Sequence, residues 1–170
     1  DSSGIVASVA IVEDENLIAE YTVNYKKTHS QTLLPMLDEL VKMTELDLDT
    51  IDAIAVAAGP GSFTGLRIGS ATAKGLGLAL KKPLVEIPTV DALAYNLYDS
   101  RALICPIMDA RRSQVYTGIY RFQEHKLVTV EAQMAVPMAE MIEKLNARGE
   151  EVVFLGDGVP VFGKMIQENL

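Results

Sequence analysis

The stretch of sequence that decides the fold reads Gly59-Pro60-Gly61-Ser62-Phe63-Thr64-Gly65-Leu66-Arg67. It joins an apolar run at residues 51–57 to a long run of small and apolar residues at 66–80. The first run predicts a short buried strand, and the second predicts a helix that is apolar almost all round. A strand, a glycine turn and a helix start bring backbone N–H groups together, which favours anion binding. The sequence leaves open whether this loop binds phosphate or only resembles a loop that does.

Small residues recur every four positions along the predicted helix, at Gly65, Gly69, Ala73 and Gly77. Glycine inside a helix costs about 1 kcal/mol relative to alanine, so a row of glycines needs a compensating contact. This row could pack on the chain's own sheet or against a helix of another subunit, and the sequence does not decide between them. Ser62, just before the helix, is expected to cap it.

Composition and charge narrow the class of protein. The 170 residues are 49% apolar and 22% charged, which is typical of a globular chain with its own core. The net charge is −8, and adjacent basic residues occur only as scattered pairs such as Lys81-Lys82 and Arg111-Arg112, so strong direct binding of nucleic acid is not expected. No apolar run predicts a membrane span. The single Cys105 excludes an intrachain disulfide and fits a cytoplasmic location.

The first half of the chain alternates strands and helices. Residues 5–12 and 17–25 predict a hairpin, and Ser30 opens a helical pattern. The strand at 51–57, the small-residue helix, a strand at 84–87 and a helix from 89 to 98 follow. The apolar stripe of the first helix is formed by Leu33, Leu34, Leu37, Leu40 and Val41.

The second half restarts the same order. A strand at 103–108 ends in Asp109, strands at 114–122 and 127–131 follow, then a helix at 137–146, a strand at 152–155, the turn Gly156-Asp157-Gly158 and a helix from 160. Asp1 precedes a small polar turn and a hairpin, as Asp109 does. The halves therefore look like copies, with an N-terminal lobe at 1–100 that lacks its opening strand and an incomplete C-terminal lobe at 101–170.

A duplicated βββαβαβα unit with an aspartate at the end of each first strand resembles the α/β fold of the actin, sugar-kinase and Hsp70 superfamily. In that superfamily, the two aspartate hairpins hold the phosphates and metal of ATP. On this resemblance a degenerate nucleotide site is expected, and its residues are Asp1, Ser2, Ser3, Asp109, Arg111, Gly156 and Asp157. Bulky arginines at Arg111 and Arg112, where a kinase carries small residues, would crowd a phosphate.

Three stretches resemble the bacterial TsaB (YeaZ) family more narrowly. They are residues 29–36, which read HSQTLLPM, residues 59–69, which read GPGSFTGLRIG, and residues 109–116, which read DARRSQVY. The resemblance runs along essentially the whole chain. Complete family members begin with an apolar strand ahead of the first aspartate and continue beyond Leu170, so we expect this sequence to be part of a longer protein.

This resemblance implies a non-catalytic cytoplasmic subunit that supports formation of N6-threonylcarbamoyladenosine on tRNA. The implied partners are the catalytic paralogue TsaD, the small ATPase TsaE and a second copy of the chain, which pairs through the N-terminal-lobe helices. No metal and no tightly bound cofactor are expected, and ATP or ADP would bind only at a subunit interface. The expected partner-binding residues are Ser30, Leu34, Leu37, Val41, Thr64, Gly65, Arg67, Gly69, Ala73 and Gly77.

An enzyme remains the alternative, namely an ATP-dependent small-molecule kinase or ATPase of the same superfamily. Glycine-rich phosphate hairpins in both halves would favour it, and Arg111-Arg112 speaks against it. Hydrolase chemistry has less support. The only two histidines, His29 and His125, are far apart in the sequence and do not have the spacing of a metal site.

Overall fold

The computed structural model describes the backbone of residues 1–25 and 29–170 and the side chains of all residues except 26–31. The chain forms two compact units, Asp1–Pro88 and Thr89–Leu170. The sequence predicts this division between residues 100 and 101. The structure places it earlier, because the helix that begins at Thr89 packs on strands of the second unit.

In its described residues, the first unit has two separate two-stranded sheets, two α-helices and a short 3₁₀ helix at Leu48–Thr50. Helix α1 packs on the antiparallel pair β1–β2, α2 packs on the parallel pair β3–β4, and the two helices contact each other. The elements are β1 (Ala7–Glu13), β2 (Asn16–Val23), α1 (His29–Thr44), β3 (Ile54–Gly59), α2 (Phe63–Leu80) and β4 (Leu84–Pro88).

The core of the first unit lies between α1 and the hairpin. Leu33, Met36 and Leu40 are spaced to share one face of α1, and they pack against Ala7 and Val9 of β1. The alternation of β1 turns these two strand residues to the same side of the hairpin. Leu37 is half-buried and packs on the edge of this cluster.

The second unit contains one four-stranded sheet in the order β7-β6-β5-β8. The central strand β5 runs antiparallel to β6 and parallel to β8. The elements are α3 (Thr89–Ala94), β5 (Leu103–Arg111), β6 (Gln114–Gln123), β7 (Lys126–Pro137), α4 (Met138–Arg148), β8 (Val152–Leu155) and α5 (Val159–Asn169). The predicted strand–helix order is confirmed, although α3 ends at Ala94 and a 3₁₀ turn at Tyr95–Leu97 replaces its predicted last turn.

Helices cover both faces of β5. Ile104 belongs to a cluster with Val90 and Tyr120, while Cys105 and Ile107 belong to the cluster beneath α4 and α5. Every residue from 103 to 108 is buried. This explains why the strand reads as an unbroken apolar run rather than as an alternating one.

Candidate functional site

The loop between β3 and α2 is folded onto the beginning of the chain. The backbone N–H of Ser62 donates to the carbonyl oxygen of Ser3 at 2.6 Å. The Ser62 hydroxyl accepts a hydrogen bond from the N–H of Gly65 at 3.2 Å, which confirms Ser62 as the N-cap of α2. The N–H groups of Ser62 and Gly65, at the start of this helix, are therefore engaged by protein atoms.

The row of small residues on α2 packs inside the chain's own unit. Gly65, Gly69, Ala73 and Gly77 are the buried residues of the helix. A Cβ added at Gly65 would lie 2.0 Å from the Ser2 carbonyl oxygen, and one at Gly69 would lie 2.5 Å from the Ser2 hydroxyl. At Gly77 it would lie 2.9 Å from the side chain of Leu84.

This packing corrects the prediction that the row contacts a partner. Gly65, Gly69 and Gly77 are covered by residues 2, 56, 62, 82 and 84 of the same unit, and Ala73 is buried, so the row presents no surface to a second subunit. Close approach of the chain's own backbone therefore offsets the free-energy cost of placing glycine in a helix.

The outer face of α2 carries large exposed side chains instead. The exposed fraction is 74% for Phe63 and 83% for Leu78. The Arg67 guanidinium lies 5.2 Å from the centre of the Phe63 ring, a cation–π contact. Of the predicted contact residues on α2, Thr64 and Arg67 are exposed here. The sequence analysis missed Phe63 and Leu78, although residues 63, 67, 74 and 78 follow helical spacing and could have shown this face.

A shallow depression of about 530 Å³ lies between this side of α2 and the β3–β4 pair. Its charged lining residues are Arg67, Lys74 and Glu86. Within the described part of the chain, neither Arg67 nor Lys74 forms an ion pair with a carboxylate.

Helix α1 contributes one clearly exposed residue of the predicted partner surface. Leu34 is 52% exposed, whereas Leu37 and Val41 are half-buried. The side chain of Ser30, predicted both as a cap and as a contact residue, lies outside the described residues. Met43, which was not predicted, is 73% exposed near the end of the same helix.

The first aspartate turn is closed on itself and on β1. The Asp1 carboxylate oxygen Oδ1 accepts a hydrogen bond from the N–H of Ser3 at 2.6 Å. The Asp1 amino group donates to the Ser8 carbonyl at 2.6 Å, and burial lowers the pKa of that amino group. Ser2 and Ser3 are buried, and the Ser2 hydroxyl donates to the Gly65 carbonyl at 2.8 Å.

The second aspartate turn repeats this arrangement in the other unit. Asp109 Oδ1 accepts from the N–H of Arg111 at 2.9 Å, which is the same step of two residues as at Asp1. The backbone N–H of Asp109 donates to Asp157 Oδ1 at 3.0 Å. A Cβ at Gly156 would lie 2.4 Å from the Ile107 carbonyl oxygen, so this glycine serves close approach of the chain to β5.

Arginine side chains occupy the second turn. Arg111, Arg112 and Ser113 all have positive φ, at 69°, 52° and 60°. The Arg111 guanidinium lies 3.5 Å from Asp109 Oδ2. Glycine at these positions would leave the backbone N–H groups accessible to a phosphate. Here, bulky arginine side chains project from the turn instead.

The fold around these two turns identifies the class of protein to which the chain belongs. The fold matches the structure of YeaZ from Pseudomonas aeruginosa with a TM-score of 0.73 at 30% identity, over 80% of this chain and 64% of that one. Together with the two aspartate turns, this match defines a protein of the actin, sugar-kinase and Hsp70 fold class, as the sequence predicts.

Comparison with known proteins identifies the family of the chain within this fold class. The family model for TsaD, tRNA N6-adenosine threonylcarbamoyltransferase, matches residues 16–170. The tRNA threonylcarbamoyladenosine biosynthesis protein TsaB of Bacillus subtilis (strain 168) is 35% identical over 170 residues, which is all of this chain and 74% of that protein. TsaB of Escherichia coli (strain K12) is 30% identical over 93% of this chain and 69% of its own length. The chain belongs to the TsaB family.

None of the helices in the described part of the chain combines the length and apolar character that crossing a membrane requires. Among the same residues, no three His, Cys, Asp or Glu side chains are grouped closely enough to hold a metal ion.

Proposed function

We propose that this protein is a non-catalytic subunit for forming N6-threonylcarbamoyladenosine in the anticodon loop of tRNAs. It acts in the cytoplasm by pairing with a TsaD-like threonylcarbamoyltransferase. Support for the pathway comes from the relatives, since TsaB of Bacillus subtilis and of Escherichia coli is named for threonylcarbamoyladenosine biosynthesis. Support for a paralogous partner comes from the TsaD family model, which matches most of the chain.

The observation that carries the pairing is the exposed outer face of α2. Phe63 and Leu78 expose most of their apolar surface, and Arg67 and Lys74 lie between them in the sequence without an acidic partner in the described residues. Aromatic and arginine side chains are the types that anchor protein interfaces. A partner helix with apolar residues opposite Phe63 and Leu78 and carboxylates opposite the two cations would complement this face. Leu34 extends the surface onto α1.

The role of the subunit in this proposal is to select a conformation of the transferase. A partner that binds only the competent arrangement of the transferase shifts the population toward it without adding chemistry. The same surface serves a homodimer, so adding the TsaD-like partner should dissolve the homodimer. A TsaE-like ATPase joins the assembly, and ATP or ADP binds only at a subunit interface.

Features of the aspartate turns support a non-catalytic role. The Asp1 carboxylate already accepts the Ser3 N–H, and the Asp109 carboxylate accepts the Arg111 N–H and lies beside its guanidinium. The net charge of −8 opposes strong contact of this chain alone with the tRNA backbone. The tRNA is therefore held by the partner.

Reconstituted threonylcarbamoylation of tRNA tests the function. Purified TsaD-like transferase, TsaE-like ATPase and the carbamoyl-adenylate synthase are assayed with and without this protein, and with its Asp109→Asn variant. We expect turnover to require the protein and to survive the substitution. Turnover that is indifferent to the protein contradicts the proposal. Tight, metal-dependent binding of Mg-ATP to the isolated protein, seen by calorimetry, would favour the kinase alternative.

Surface variants test the proposed face separately. Phe63→Asp and Leu78→Asp should each weaken binding to the TsaD-like partner by at least about tenfold, because each buries a charge at an apolar contact. Val161→Asp, at a residue 58% exposed on α5, is the matched control and should leave binding unchanged. Equal binding by all three variants contradicts this choice of face.

A further inference from the structure

The outer face of α2 has the same order of residue types from either end. Six residues are spaced to share this face of the helix, and in chain order they are Phe63, Arg67, Ser70, Ala71, Lys74 and Leu78. The order is a large apolar residue, a cation, two small residues, a cation and a large apolar residue. Phe63 and Leu78 lie equally far from the midpoint between the two small residues, and so do Arg67 and Lys74. The face therefore has an approximate two-fold symmetry.

This symmetry makes the apolar part of the face complementary to a second copy of itself. In a two-fold interface, both copies use the same patch of surface. Two antiparallel α2 helices that cross at Ser70 and Ala71 would place Phe63 of each copy against Leu78 of the other. The small residues at the crossing would let the helices approach closely, because side chains at the contact set the distance between helix axes. The apolar residues alone thus do not discriminate against self-pairing.

The charges of the face oppose the same arrangement. It would place Arg67 of each copy against Lys74 of the other, so that like charges meet twice. Helix α2 contains no aspartate or glutamate. Among the described residues that line the adjoining depression, the one carboxylate is that of Glu86 on β4. Two facing copies would therefore bring together more cations than carboxylates, and an excess of positive charge would remain at the contact.

The position of Arg67 makes this charge difficult to avoid. Its guanidinium lies 5.2 Å from the centre of the Phe63 ring, and this cation–π contact holds the charge beside an exposed apolar residue. A partner that covers Phe63 must therefore also meet Arg67. Covering a cation costs free energy unless the partner supplies a group of opposite charge, and like charges that face each other suppress the wrong partner.

We propose that Arg67 and Lys74 select the partner of this face by charge. They weaken pairing of the chain with itself, and they favour a helix that has apolar residues at both ends and carboxylates at the two inner positions. Because this face is the one assigned to partner binding above, the selection rests on the proposed function. It explains why a second copy, which the apolar residues accept, is displaced when an acidic-faced partner is added.

Self-association of the full chain tests the repulsion without any partner. Sedimentation equilibrium gives the dissociation constant of the homodimer for the parent and for Lys74→Glu. The new carboxylate would face Arg67 twice in the symmetric contact, so we expect the variant to pair with itself at least about tenfold more tightly. The parent already has a net charge of −8, and the substitution makes it more acidic. General repulsion between copies would therefore change the constant in the opposite direction.

Lys164→Glu is the matched control. It makes the same change of charge at an exposed residue of α5, in the second unit, and should not tighten self-association. Raising NaCl from about 0.1 M to about 1 M shortens the Debye length from about 10 Å to about 3 Å. This change should tighten the parent homodimer and loosen that of Lys74→Glu. A Lys74→Glu chain that pairs no more tightly than the parent, or no more tightly than Lys164→Glu, overturns the proposal.

Binding to the TsaD-like transferase tests the preference for an acidic partner. The affinity of the parent should fall as salt rises, and Lys74→Glu should weaken it at least about tenfold, whereas Lys164→Glu should not. Equal affinity of the parent and Lys74→Glu overturns selection by charge and leaves the proposed function standing. Threonylcarbamoylation that does not require the protein contradicts the proposed function instead, and the self-association results are independent of it.

Discussion

The carbonyl oxygen of Ser2 lies 2.0 Å from the point where a Cβ on Gly65 would stand, and the Ser2 hydroxyl donates to the Gly65 carbonyl at 2.8 Å. The first turn of α2 thus packs directly on the start of the chain. Only a residue without a side chain permits this contact, because both colliding atoms would belong to rigid backbone or to Cβ.

Gly65→Ala should therefore destabilise the protein by about 2 kcal/mol or more, since the backbone must move to admit the methyl group. Gly75→Ala is the matched control on the same helix, because a Cβ there meets nothing within 4 Å. Alanine at position 75 should stabilise by up to about 1 kcal/mol through helix propensity. Urea unfolding of both variants measures the difference, and similar midpoints for the two would contradict this packing.

Glu131 gives a pH-dependent contribution to stability. The hydrogen bond from Arg148, at 2.6 Å, lowers the pKa of its carboxyl below the usual value of 4.5, burial opposes this shift, and Lys144 at 3.4 Å adds to it. A carboxylate whose pKa is lower in the folded state than in the unfolded state stabilises the fold. This contribution is complete at pH values above the unfolded-state pKa, and it is lost as the pH falls through the folded-state pKa.

Glu131→Gln should thus lower the free energy of unfolding by about 1 kcal/mol at pH 7, and the difference from the parent should shrink below pH 4.5. Glu143→Gln, on the exposed side of α4, is the control and should change stability by less than about 0.5 kcal/mol. Denaturant titrations at several pH values give the comparison, and a pH-independent difference would argue against the ion pair.

Cys105 should be inert to alkylation in the folded protein. Burial raises the pKa of its thiol to about 12, and its sulfur lies 3.4 Å from the Thr117 hydroxyl inside the core. At pH 8 the thiolate is therefore scarce as well as inaccessible. Labelling by iodoacetamide should occur only as the protein unfolds, with denatured protein as the reference. Native labelling at the denatured rate would show that β5 is not buried as described.

Tyr120 should contribute through its hydroxyl as well as through its ring. The hydroxyl donates to Asp91 Oδ1 at 2.6 Å, and burial, followed by this carboxylate, raises the pKa of the phenol. Tyr120→Phe should destabilise by about 1 kcal/mol. Tyr116→Phe on the same strand should have little effect. If the two variants unfold at the same denaturant concentration, the hydrogen bond between Tyr120 and Asp91 makes no net contribution to stability.

Local signals made much of the fold predictable. Ser62 is predictable as a cap because a serine hydroxyl just before a helix can accept a hydrogen bond from a free backbone N–H of the first turn. Strand β8 is predictable because its apolar run is short and lies between polar and glycine residues. The contacts of the glycine row were not predictable in the same way. They depend on Ser2, which is distant in the sequence, so the pattern could not distinguish an internal contact from an interface.

Elements whose boundaries are set by packing were less predictable. The sequence predicts that β7 ends at residue 131, because the residues that follow include weak strand formers such as Ala132, Gln133 and Ala135. Pairing with β6 carries the strand on to Pro137, which lies opposite Gln114. In the same way, helix α3 joins the second unit through its contacts with β5, which no local feature of residues 89–94 reveals.

The unequal sheets imply that the chain does not lose its structure in one step. The second unit has a four-stranded sheet with helices on both faces of β5, whereas the first relies on two strand pairs and a smaller apolar cluster. Isolated strand pairs are marginally stable, so the first unit should open at lower free energy than the second. Graded urea should therefore release amides of β1–β4 before those of β5 and β6, and simultaneous release would show one cooperative transition.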